Sequence, residues 1–285
     1  MSGERTETDR PEGRKNESSF LEMLSIFLRQ DYHFPLLEIF AFLFVVGILL
    51  TSSLPPGFDE TYIASSYFGS GAVSLPIFVF MILVWKNISF GFGGDLEKGV
   101  MQTFLTYPLK RLWILGARLL SSVGVALAVL TLAELVVLLA TMPAFAIQQA
   151  STLALNYLAA LALPILITAV VLAVCVFAKT SWLPLVVGLA FYFAAGLFLQ
   201  FFVGYGVQTE NSVLLGATYL LNPAVAFQGY YSHFSCGPPS QGFVCGATWG
   251  TPGLGAAAAY LVGSCFISIV LLLISALWFA RRLEV

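Results

Sequence analysis

Six apolar runs, roughly 34–53, 65–85, 112–140, 153–177, 182–203 and 255–279, dominate the hydropathy pattern of the chain. Each is near the ~20 residues a helix needs to cross ~30 Å of hydrocarbon. The pattern predicts an all-α polytopic membrane protein with six transmembrane helices. Ahead of the first run the period changes. Phe20, Leu21, Leu24, Phe27 and Leu28 share one helical face, and Ser18, Glu22, Ser25 and Arg29 share the other. That pattern predicts an amphipathic interfacial helix over 20–33, lying in the headgroup plane and breaking near Pro35. Ser19 followed by Glu22 reads as a capping box that starts it. Residues 1–19 are polar and mixed in charge, with no short apolar core before a small-residue cleavage site, so no cleavable export signal is expected. They read as a disordered, solvated tail, with a regulatory arm as the alternative.

Charge orients the threading. The chain carries 13 Lys and Arg residues. They fall ahead of the first apolar run (Arg5, Arg10, Arg14, Lys15, Arg29), around the second-to-third connection (Lys86, Lys98, Lys110, Arg111, Arg118), at Lys179 and at Arg281 and Arg282. The connections 54–64, 141–152 and 204–254 carry none. Because cationic residues are retained on the cytoplasmic side, both termini are expected there, in the plasma membrane. The stretch 204–254 is the ambiguous one. Val213–Tyr231 is apolar but interrupted by Asn222-Pro223 and Gly229, and a full crossing would put Arg281 and Arg282 outside. We read it as a re-entrant or interfacial helical element before the sixth span, within an extracellular loop. Pro164 and Pro184 are expected to kink spans four and five.

Composition removes other classes. With 59% hydrophobic residues, 10% charged residues and mean hydropathy +0.89, the chain exposes too much apolar surface for a soluble globule. A net charge of −2 implies no nucleic-acid partner. There is no GxxxxGK[ST] loop, so the chain is not expected to hydrolyse ATP, and no HExxH or GxSxG on which a protease or hydrolase could stand.

Three groups of residues remain. Cys236 and Cys245 lie in the outer loop among Gly237, Pro238, Pro239 and Gly242, which suits a disulfide; a metal site with His233 is the alternative. Cys175 and Cys265 read as small apolar core residues. Glu134, with Thr131 one turn before it, is the acid deepest in a span. A carboxylate there costs on the order of 3 kcal/mol, so it must face protein or water. It either lines a translocation path or packs in hydrogen-bonded form. Asn156 and Gln200 are weaker lining candidates nearer the outer end.

The third group is the connection from Phe90 to Arg111. Asp95 is placed to cap a helix whose Leu96, Val100 and Phe104 recur every four residues, widened by Met101 and Leu105 and stopped by Pro108. Beside Glu97, Lys98 and Gln102, that stripe suits either a groove on a soluble partner or the lipid surface.

Asp95-Leu-Glu-Lys-Gly99, then Gln102, Leu105, Pro108, Arg111 and Gly116-Ala-Arg118, resembles the permease subunits of type-2 ABC exporters. The interfacial helix, the six spans and Tyr219-Leu-Leu-Asn-Pro223 extend the resemblance along most of the chain. It implies a coupling helix at about 95–108 that docks on a separate cytoplasmic ABC ATPase subunit, with Glu97, Gly99, Gln102, Phe104, Leu105, Pro108 and Arg111 in the transmission region. It also implies a second permease copy, membrane lipid around both, and ATP and Mg bound by the partner rather than by this chain. The outer loop is longer than the family pattern and carries the Cys pair, so what that loop binds does not follow. The competing expectations are a membrane anchor or assembly protein with a non-ATPase partner and, less favoured by the motifs, an intramembrane enzyme.

Overall fold

The computed structural model describes residues 12–32, 36–51, 60, 63–64, 67–68, 74–100, 111–232 and 252–282. Among these there is no strand: the chain is all-helical, and five of its helices are long and apolar enough to cross a membrane.

Helix α1 spans Glu12–Asp31. It therefore runs through Ser18 and Ser19, so the capping box does not mark its start, and the tail is not unstructured as far as residue 19. Glu12, Arg14, Lys15 and Glu17 are straight-chain residues that lose little rotamer freedom in a helix. Met23 and Phe27 are buried, whereas Leu21 and Ile26 of the same helix are exposed. Helix α2, Leu36–Thr51, is apolar but 16 residues long. At 1.5 Å per residue that is about 24 Å, short of a straight crossing, so the first predicted span is not among the five.

The second span is displaced from its predicted 65–85. Helix α3 begins at Ser74, runs as α-helix to Lys86, as π-helix over Asn87–Gly93, and as α-helix again over Gly94–Glu97. The Gly- and Ser-rich stretch before it favours turns, and Tyr67 and Phe68 form one. At the other end the helix passes Lys86 because Ile88 and Phe92 are buried in the core. Its glycines admit close neighbours: a Cβ on Gly93 would lie 3.0 Å from both Cys175 Sγ and the Thr180 carbonyl.

Helix α4 runs from Arg111–Leu119 through a π segment, Leu120–Gly124, into Val125–Thr141. A short helix, α5 (Pro143–Gln148), leads to α6, Ala150–Ala178, whose most apolar window is 67% buried. Helix α6 is thus the centre of the bundle, packed against α3, α5, α7, α8, α9 and α10. Pro164 lies inside it. Thr168 bonds back to the Pro164 carbonyl at 2.8 Å and accepts from Trp85 Nε1 at 3.1 Å, joining α6 to α3. After Lys179, at left-handed φ 53°, helix α7 spans Leu183–Gln208. Pro184 sits in its first turn, where the missing N–H breaks no bond, so it starts the helix and does not kink it.

The predicted element before the last span is present as two helices, α8 (Ser212–Leu221) and α9 (Pro223–Ser232), separated at Asn222. Asn211 caps α8 by accepting from the Leu214 amide at 3.0 Å. Both helices pack on α10, Leu254–Arg282.

One contact sets the spacing of three helices. A Cβ on Gly188 of α7 would stand 2.7 Å from Val171 Cγ2 of α6 and 3.1 Å from the Trp85 ring of α3. Val171 is β-branched and stiff. Gly188→Ala is expected to destabilise the fold by roughly 1–3 kcal/mol, read as a lowered melting temperature in detergent.

Candidate functional site

The densest polar cluster lies where the last turn of α1 meets the π segments of α3 and α4. Arg118, Ser121 and Ser122 share one face of α4, at the three- and four-residue spacing that aligns helical side chains. Arg118 is 1% exposed and Asp31 2%. The Arg118 guanidinium stacks over the Phe27 ring at 4.9 Å, and its Nη1 lies 3.2 Å from Asp31 Oδ1 and donates to Gln30 Oε1 at 3.0 Å. Ser121 and Ser122 donate to Asp31 Oδ2 at 2.7 and 3.2 Å. Tyr32 donates to the Ser122 carbonyl at 2.8 Å. Burial pushes the Asp31 carboxyl up from its ordinary value, and Arg118 with the two hydroxyls pulls it part of the way back. The Tyr32 hydroxyl is pushed up first by burial and then by the Asp31 charge.

The second acid of the cluster is Asp95. It does not cap a new helix: it lies within the last turn of α3, and its Oδ2 stands 3.8 Å from Arg118 Nη2. Gly91 leaves room for that arm, since a Cβ there would overlap Nη2. Sequence reasoning took Arg118 as a motif residue and missed Asp31. A signal was present. An acid in the last turn of a helix opposes the macrodipole and needs a cation from elsewhere.

Next to this cluster, Glu97 Oε2 accepts from the Ser181 amide at 2.9 Å. The end of α3 is thereby tied to the turn between α6 and α7. Gly99, at φ +72°, then ends the helix, with its amide on the Leu96 carbonyl at 3.3 Å. Leu96 and Val100 therefore do not continue on one helix: Leu96 packs on the core, while Val100 is exposed beyond a left-handed break that favours glycine. Gln102, Phe104, Leu105 and Pro108 lie outside the described residues, and Arg111 opens α4.

Glu134 occupies a different region of α4. It is 3% exposed, and neither carboxylate oxygen has a hydrogen-bond partner among the described residues. Thr131 does not serve it: its hydroxyl bonds to the Leu127 carbonyl at 2.7 Å and lies 2.8 Å from the Tyr157 hydroxyl. Asn156 is no lip residue. It is 1% exposed, and its Oδ1 accepts from the Phe68 amide at 3.0 Å, anchoring the turn before α3.

An open cavity of about 520 Å³ lies between α6, α7 and the break at Asn222, lined among others by Phe68, Ile77, Leu163, Tyr192, Phe193 and Asn222. Glu134 does not line it, and the Gln200 side chain lies outside the described residues. Cys175 is buried beside the Ile88 carbonyl, whereas Cys265 is exposed on α10 and is no core residue. His233, Cys236 and Cys245 lie outside the described residues, which among themselves hold no cluster of metal-ligating side chains. No family model, curated protein or solved structure matches the chain.

Proposed function

We propose that the chain is the permease subunit of an ATP-driven exporter of the type-2 ABC class. It would work as a pair of copies with a separate cytoplasmic ATPase, in the plasma membrane with both termini cytoplasmic. The observation that carries this reading is the continuity of α3. The helix runs from Ser74 to Glu97 without a break, and Glu97 binds the α6–α7 turn just before the 95–108 segment leaves it. A push delivered at 95–108 therefore reaches the second, fourth and fifth predicted spans together. The most apolar windows of α7 and α10 are only 12% and 17% buried, which leaves faces for lipid and a second copy.

Purification of the chain from its own membrane in a mild detergent tests the reading. A stoichiometric partner with a GxxxxGK[ST] loop supports it; a stoichiometric partner without one favours a membrane anchor.

Glu134 is assigned to the translocation path on its buried, unbonded carboxylate. Replacing an orphaned buried charge by an apolar group is neutral or stabilising. Glu134→Leu is thus expected to leave the melting temperature unchanged or raised while lowering export by at least about tenfold, an effect of 1.4 kcal/mol or more. A lowered melting temperature with normal export would make it a packing residue.

A further inference from the structure

We infer that Arg118 is a two-position latch, a positioning residue shared between Asp31 on α1 and Asp95 on α3, which keeps α1 attached while the end of α3 shifts. The two sides of the guanidinium are unequally engaged. Nη1 is held by Asp31 at 3.2 Å and Gln30 at 3.0 Å. Nη2 stands 3.8 Å from Asp95 Oδ2, and neither of those two atoms has a hydrogen-bond partner among the described residues. A charge-assisted bond closes at 2.7–2.9 Å, so a shift of about 1 Å at the end of α3 would bond both orphaned atoms at once. Arginine suits this because its planar fork serves two carboxylates from one side chain, which the point charge of lysine does not.

The acceptors differ in how they are held. Asp31 Oδ2 is fixed from behind by Ser121 and Ser122. Asp95 has no such backing at Oδ2 and sits in the last turn of α3, before the left-handed Gly99. Both neighbouring spans carry π segments at this level, Asn87–Gly93 and Leu120–Gly124, and both segments pack on α1. Such insertions mark places where a helix changes register. The inference rests on the exporter reading only for what moves α3; the latch itself is a property of this chain alone.

It is tested on the full chain in lipid nanodiscs, without any ATPase. Asp31→Asn and Asp95→Asn are expected to lower the melting temperature by a few degrees each, because either acid can hold the guanidinium. The double variant is expected to fall by well over the sum, since Arg118 then has no carboxylate. Additive losses would overturn the proposal. If the double variant does not fold, Asp95→Leu serves as the background instead, because it removes the second carboxylate without leaving an unpaired polar group on α3. In that background Asp31→Asn is expected to speed amide hydrogen exchange at the end of α1 at least tenfold more than it does in the native chain. Equal acceleration in the two backgrounds would equally refute a second position.

Discussion

Arg118→Ala is expected to cost roughly 3–5 kcal/mol of the chain's folding stability, the range for taking one partner out of a buried ion pair. The loss does not come from the attraction between charges alone. The guanidinium is the counter-charge for Asp31, which is 2% exposed, and it stands near Asp95. Without it, Asp31 keeps the hydroxyls of Ser121 and Ser122 and the weaker pull of the Lys86 charge, and the carboxylate must either lose its charge or draw water into the junction. Alanine also gives up the packing of the guanidinium on Phe27. Because typical folds are stable by only 5–15 kcal/mol, such a loss should appear as a sharp fall in monodisperse protein after detergent extraction and a melting temperature lowered by many degrees. An unchanged melting temperature would mean that Asp31 and Arg118 do not pair in the folded chain.

The second large effect is functional. Glu97→Ala is expected to leave the fold intact and to abolish at least about nine-tenths of substrate-stimulated ATP hydrolysis in the reconstituted complex, a change of 1.4 kcal/mol or more. The Glu97 side chain is exposed, so its hydrogen bond contributes little to stability. Its geometry matters more. It ties the last turn of α3 to the Ser181 amide. Without it, the last turn of α3 loses its hydrogen bond to the turn between α6 and α7. Under the proposed docking, Phe104→Ala should act in the same direction by removing an apolar side chain from the docking segment. Full stimulation in Glu97→Ala would show that force reaches the spans by another route.

The parts of this fold that were legible in the sequence are those set by long-range hydropathy or by a residue with a fixed conformational preference. Apolar runs located α4, α6, α7 and α10 to within a few residues. Asn222-Pro223 located the break between α8 and α9, because proline disfavours the helical conformation at the residue before it. The misreadings share a cause as well. Hydropathy averages over a window and does not register a one-residue insertion, so the π segments at Asn87–Gly93 and Leu120–Gly124 left no trace in it. The same averaging placed the second span at 65–85, blending the Tyr67–Phe68 turn with the helix that begins at Ser74 and stopping at Lys86. Pro184 was read by its identity alone, although its effect depends on whether it falls in the first turn.

The candidate site divides along the same line. Glu97 and Gly99 stood out in the sequence by their spacing, and Glu134 by its depth in an apolar run. The partnership of Asp31 with Arg118 joins residues nearly ninety positions apart, and no local pattern specifies it. What the sequence did offer was an acid at the wrong end of a helix and an arginine followed by two serines inside an apolar span. Each is a demand for a partner. Only the packing of α1 on α4 shows that the two demands answer each other.

The most direct measurement is a photo-cross-link from position 98. Lys98 is exposed on the first turn beyond α3, beside Glu97 and Gly99. With a photoreactive residue placed there and irradiated in the native membrane, the account predicts one dominant adduct, a cytoplasmic protein carrying a GxxxxGK[ST] loop. An adduct confined to lipid, or one with a protein lacking any nucleotide-binding motif, would contradict it.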